Sequence, residues 1–135
     1  MRKSIGVLVL LFGFSLMLAG CMEQQKTKKL KDLEYTVVNL QDLPAALKEQ
    51  IEMKKEEGFR MTYSDNEWLY IARGYGIQET GGYSVSVDDC YLGEDVICVK
   101  TTLHGPQVDE NVVKSPSYPC IVLKTELRSE EVKFD

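Results

Sequence analysis

Apolar and polar positions alternate with two different periods along this chain. Phe59, Met61 and Tyr63 fall on one side and Arg60 and Thr62 on the other, the two-residue repeat of a half-buried strand. The same repeat returns in Tyr83, Val85 and Val87 against Ser84 and Ser86, and again in Ile97, Val99 and Leu103. Trp68–Ile71 is apolar at consecutive positions, as in a strand covered on both faces. Two hairpins are predicted. One joins Phe59–Tyr63 to Trp68–Arg73 through Ser64–Glu67, and the other joins Tyr83–Tyr91 to Val96–Leu103 through Leu92–Asp95. Glu34–Asn39 reads as a short first strand and Tyr118–Thr125 as a last one, with Pro119 marking an edge or a strand start. A helical period occurs in Leu43, Ala46, Leu47 and Ile51, which predicts an amphipathic helix over Leu43–Glu57. Asp42 and Pro44 stand at its start and Gly58 at its end. The expected fold is mainly β: a small β-sandwich or partly open barrel of about seven strands with one packed α-helix.

The first twenty residues follow neither period. Arg2 and Lys3 precede Ile5–Leu18, an uncharged and nearly unbroken apolar run of 14 residues. That length suits the centre of a signal peptide and is short for a membrane-spanning helix. Leu18-Ala19-Gly20-Cys21 closes the run with small residues ahead of a cysteine. These four positions resemble the lipobox of bacterial lipoproteins. The resemblance implies cleavage of residues 1–20 and lipidation of Cys21, which would hold the protein on the extracytoplasmic face of the cell membrane. Two acyl chains on one residue give stable anchoring, where a single chain is marginal. Residues 21–33, with Lys26, Lys28, Lys29 and Lys31, then read as a lipidated tether, 34–128 as the β domain and 129–135 as a polar tail expected to fray.

Composition narrows the class further. A hydrophobic content of 44% with 27% charged residues fits a folded domain. Losing Arg2 and Lys3 moves the net charge from −5 to near −7, which disfavours nucleic acid as a partner. The single histidine, His104, and the lack of any Cys-x-x-Cys leave no metal or cofactor set to expect. A cysteine-dependent hydrolase would need His104 as its base and Cys98 or Cys120 as its nucleophile. Cys98 lies six residues from His104, about 20 Å along an extended strand, and Cys120 could approach only through the fold. This class is the remote alternative, and no enzyme is expected.

With Cys21 assigned to lipid, Cys90, Cys98 and Cys120 remain. Strand parity puts Cys90 and Cys98 on the polar faces of their strands, and a three-residue loop Gly93–Asp95 would set them directly across from each other. Two readings stay open: a Cys90–Cys98 disulfide, which an exported protein can keep, or three free thiols in small apolar roles.

Four glycines fall within the nine residues from Gly74 to Gly82, and no strand-to-helix context follows them, which disfavours a phosphate-binding loop. This loop and a second, Gly105–Pro116 with its continuation to Tyr118, are the candidate partner-binding segments. The candidate residues are Tyr75, Thr80, Gly81, Gly82, Tyr83, Pro106, Pro116 and Tyr118. Glycines would let a partner's backbone approach, prolines would stiffen the second loop, and tyrosines would offer aromatic area. The plain alternative is that Thr80–Tyr83 is an ordinary tight connection.

Three pieces in order carry a wider resemblance. They are Leu69-Tyr70-Ile71-Ala72-Arg73-Gly74, then Thr80-Gly81-Gly82-Tyr83-Ser84-Val85, then Ser115-Pro116-Ser117-Tyr118-Pro119 followed by Ile121-Val122-Leu123-Lys124. From about Trp68 to Thr125 the chain resembles the C-terminal domain of the protease complex subunit PrcB family, with Glu79 where that family favours proline. The family consists mostly of small secreted or lipid-anchored bacterial proteins, named after a lipoprotein that binds and stabilises a cell-surface protease. The resemblance implies an extracytoplasmic binding subunit with a protease as its partner. Thr80, Gly82 and Tyr83 also resemble the loop that chagasin-type inhibitors present to cysteine proteases, which makes a protease inhibitor the alternative function.

Overall fold

The computed structural model describes residues 28–135, so Cys21 and the segment before it lie outside the described residues. The described elements run β1 (Lys31–Asp32), β2 (Thr36–Val37), a 3₁₀ turn (Leu40–Asp42), α1 (Ala45–Lys54), β3 (Phe59–Ser64), β4 (Trp68–Gly74), β5 (Ser84–Gly93), β6 (Val96–His104), β7 (Cys120–Glu126) and β8 (Glu131–Phe134). They form two four-stranded sheets. The front sheet has the order β1-β5-β6-β8 and the back sheet β2-β7-β4-β3. Among the described residues the fold is the expected small β-sandwich, with eight strands, one α-helix and no closed barrel.

The core has two layers because β4 is covered on both faces. Leu69 and Ile71 join Leu33, Cys90, Ile97, Val99 and Leu123 between the sheets. Tyr70 and Ala72, on the opposite face of the same strand, pack with Leu43, Leu47, Ile51, Phe59 and Val122 under α1. Each fully buried aliphatic side chain contributes about 1.5–3 kcal/mol. The helix is shorter than its periodicity predicts. Pro44 precedes its first turn, the chain leaves it at Gly58, and Asp42 lies in the 3₁₀ turn rather than capping it.

Both ends of the domain differ from the sequence-based boundaries. Lys31 and Asp32 pair with Leu92 and Tyr91, and Leu33 enters the core, so the domain begins inside the expected tether. The Thr125 hydroxyl donates to the Glu34 carbonyl at 2.8 Å where the chain crosses from front sheet to back. Residues 129–135 are no frayed tail. Glu131–Phe134 pairs in parallel with Val96–Val99, and Val132 and Phe134 pack against the inter-sheet core. Arg128 and Glu130 brace the approach with two hydrogen bonds of 3.0 and 2.9 Å.

The cysteine geometry is also corrected. Asp88 is an extra residue in β5, since Val87 pairs with Thr101 and Asp89 already with Lys100. Such a bulge reverses which side chains face inward. Before it Val87 packs on the core, and after it Cys90 and Leu92 do. The hairpin turns through two residues, with Asp95 at φ 59°, and sets Cys90 opposite Val99 and Tyr91 opposite Cys98. Cys90 therefore faces the core with Val99, while Cys98 lies on the outer face beside the Tyr91 hydroxyl. Neighbours on opposite faces of a sheet cannot bond, and all three thiols are free.

Burial pushes the Cys90 thiol up to about 11 and raises that of Cys120 as well, so at neutral pH both stay protonated. Cys98 is buried as well, so alkylation of all three in the folded protein should be slow. After unfolding without reductant, Cys90, Cys98 and Cys120 should each take up one label by mass spectrometry. A disulfide-linked pair of peptides would contradict this.

Candidate functional site

The two loops singled out in the sequence meet along one edge of the sandwich. Gln78 and Ser117 exchange backbone hydrogen bonds of 2.9 and 3.1 Å. The Ser117 hydroxyl donates to the Thr80 carbonyl at 2.7 Å, and the Gly81 N–H donates to the Val113 carbonyl at 2.9 Å. Gly82 closes the joint. Its φ is +90°, and a Cβ there would lie 2.7 Å from Val112 Cγ1 and 2.9 Å from Pro106 Cβ. The corner's positive-φ glycine thus admits the second loop of this chain rather than a partner's backbone. Together the loops form a ridge, which the Ile77 N–H ties to the helix end through the Glu56 carbonyl at 3.0 Å.

The tyrosines serve largely as internal supports. The Tyr75 hydroxyl hydrogen-bonds Thr101 of the front sheet, its N–H donates to the Pro119 carbonyl at 3.0 Å, and the Arg73 guanidinium stacks on its ring at 3.8 Å. The Tyr83 ring lies beside Gly105. Lys55 sits 4.5 Å over the Tyr118 ring. All three tyrosines are half-buried, as is Pro106, while Gly82 and Pro116 are exposed.

Three apolar residues of these loops are exposed among polar neighbours, and the sequence reading does not single them out as contacts. Ile77 and Val113 are 49% and 69% exposed, and Val108 is fully exposed. Ile77 stands beside the helix end and Val113 against Gly81, both on loops fixed to the sheets, where partner contacts concentrate. The available signal was β-branched residues standing inside loops otherwise rich in glycine, proline and polar side chains.

The ridge stands at one end of the strands. Ser84, His104, Gly74 and Cys120 abut it, whereas β1 joins β5 at Leu92 and Tyr91. From Leu92 to Ser84 the strand runs about 25 Å at the usual rise per residue. The chain therefore enters the domain at the end opposite the ridge.

His104 does not meet a cysteine. Its Nε2 lies 2.8 Å from the Ser86 hydroxyl on the exposed outer face of the front sheet. Asp88 accepts from the Ser86 hydroxyl at 3.1 Å and from Thr102, rather than from the imidazole, and both hydroxyl bonds hold its carboxyl below the usual range. A serine–histidine–aspartate relay needs the carboxylate on the histidine, so this arrangement lacks its order. Cys120 lies on the helix side of the back sheet, packed against the layer under α1.

Residues 69–126 match the family described as PrcB C-terminal. The match covers somewhat under half of the chain, contains the whole ridge, and leaves β1–β3, α1 and β8 outside. It fits a protease-associated subunit in general. No curated protein and no solved structure matches the chain.

Proposed function

With residues 69–126 a PrcB C-terminal domain, we propose that the protein is a lipid-anchored, extracytoplasmic binding subunit that docks and stabilises a surface protease on its ridge. The observation that carries this reading is the separation of the two ends. Anchoring through Cys21 would bring the chain in from the membrane at the Leu92 end of β5, and the joined loops with Ile77 and Val113 would face away from the lipid. Ile77, Val108, Val113 and Pro116 would supply apolar contact, and Thr80, Gly81 and Gly82 would shape the approach. Loops fixed by a rigid scaffold are where partner contacts concentrate.

Affinity capture from native membranes tests it. The wild-type protein should retain a protease. Ile77→Arg and Val113→Arg should each weaken capture at least tenfold, with stability changed by about 0.5 kcal/mol or less, as for exposed positions. Cys21→Ser should lose labelled palmitate and leave the membrane fraction. Unchanged capture by the arginine variants would remove the ridge as the docking site, and palmitate retained in Cys21→Ser would remove the anchor. Thr80→Arg serves as a third probe of the same surface. Tyr75 is unsuitable, because its loss would also break the tie to Thr101.

A further inference from the structure

Beside the ridge, the β3–β4 hairpin places two arginines directly opposite each other. Arg60 pairs in register with Arg73, so both side chains rise from the same face of adjacent strands. Like charges directly opposite are destabilising in a sheet. Among the described residues neither guanidinium forms an ion pair, although the chain carries more acidic than basic residues. The charged groups that perturb Arg73 are Arg60 and Tyr75, with no carboxylate among them, and burial and Arg60 both push its pKa down. Arg73 is held in place from two sides, stacked on the Tyr75 ring at 3.8 Å and donating one N–H to the Gly74 carbonyl. A guanidinium has five N–H donors, so most of its fork remains available.

The pair lies at an open edge. β3 is the terminal strand of the back sheet and is six residues long, which leaves its alternate backbone N–H and carbonyl groups without a neighbouring strand. A charge on such an edge guards against unwanted pairing, and exposed Arg60 alone would serve that purpose. Protection does not account for the second arginine, which sits one strand inward and is half-buried and pre-oriented. Two long cationic side chains on strands about 4.8 Å apart converge readily on one carboxylate, which accepts both in a charge-assisted fork.

We propose that Arg60 and Arg73 bind an acidic side chain on an extended segment of the protein partner, which adds to the free edge of β3 as a further strand. The inference rests on the reading of the protein as a binding subunit and specifies what its partner presents. Backbone pairing along Arg60–Ser64 would supply affinity, and the carboxylate would fix the register. Because Arg60 and Arg73 lie toward the Phe59 and Gly74 end of the hairpin, the added strand would run up to the ridge.

The test selects random linear heptapeptides displayed on phage against the full chain in detergent, with counter-selection against Arg60→Gln. Enriched peptides should carry aspartate or glutamate at one fixed position among β-branched residues. Each should bind Arg60→Gln at least tenfold more weakly by fluorescence polarisation, and replacing its acidic residue by the amide should cost a similar factor. Arg60 is exposed and its loss relieves repulsion, so this variant should melt no lower than wild type. Arg73→Lys keeps the charge but loses the fork and should also bind more weakly. Selection of peptides with no fixed acidic position, or equal binding to Arg60→Gln, would overturn the proposal. If membrane capture is lost in Val113→Arg but intact in Arg60→Gln, the ridge stands and the carboxylate site falls. The reverse result removes the ridge and keeps the arginine pair.

Discussion

Gly74→Val should lower the melting temperature by roughly 15 °C, the effect of about 3 kcal/mol in a domain of this size. A Cβ at Gly74 would lie 2.3 Å from Cε2 of Phe59 and 2.6 Å from two further ring atoms. Phe59 cannot simply swing aside, because it is 8% exposed and packed with Leu43, Leu47, Ile51 and Ala72 under α1. Overpacking of this kind costs about 1–3 kcal/mol, and a branched side chain takes the upper end. The matched control is Gly81→Ala. A Cβ there would sit 3.6 Å from Val113 Cβ, an ordinary contact, so its melt should move by less than about 0.5 kcal/mol. Thermal melts by circular dichroism on both variants decide the matter. Equal melts would mean that the Gly74–Phe59 contact does not constrain the core.

Truncation after Arg128 should cost roughly 3–4 kcal/mol, enough to leave a marginally stable domain largely unfolded. It removes half-buried Val132 and Phe134 from the inter-sheet core, the parallel ladder to β6, and the 2.8 Å bond from the Asp135 N–H to the Val99 carbonyl. It also uncovers the β6 edge beside Ile97 and Val99, which are otherwise fully buried. A detached polar tail would give a change within about 0.5 kcal/mol. Urea denaturation of the truncated protein separates the two outcomes clearly. Val132→Ala with Phe134→Ala should reproduce much of the loss while keeping the chain length, which assigns it to packing rather than to the backbone alone.

Both predictions bear on the docking reading through the end of the molecule they disturb. Gly74 lies where β4 runs into the ridge, next to Arg73 and Tyr75, so a displaced Phe59 would move the hairpin that carries both arginines. β8 lies at the other end, against Val96–Val99, near the point where the chain enters. Mild truncations of β8 that remain folded should therefore leave partner capture intact.

What local pattern could determine, the sequence determined. The hairpin of β3 with β4, the double coverage of Trp68–Ile71, the amphipathic helix and the mainly β class all follow from periods of two and 3.6 within single segments. The two loops are legible in the sequence as glycine- and proline-rich candidate segments, and the structure joins them through Gly81 and Gly82. Other features depend on how one segment meets another. The Asp88 bulge changes parity in mid-strand, and nothing in the residues on either side marks it. It is held by hydroxyls from Ser86 and Thr102, the latter supplied by the next strand. That single extra residue turned Cys90 inward, while Cys98 keeps the face that strand parity gives it. Glu131–Phe134 does alternate, yet four residues between charged neighbours make a strand only when β6 offers an edge. Lys31–Asp32 is shorter still and owes its order to β5. The Arg60–Arg73 pair exists because the hairpin register sets two residues thirteen apart on one face of neighbouring strands. Periodicity is a property of a segment, whereas register, bulges and edges are set by the energy of pairing two segments, and only the folded chain decides those.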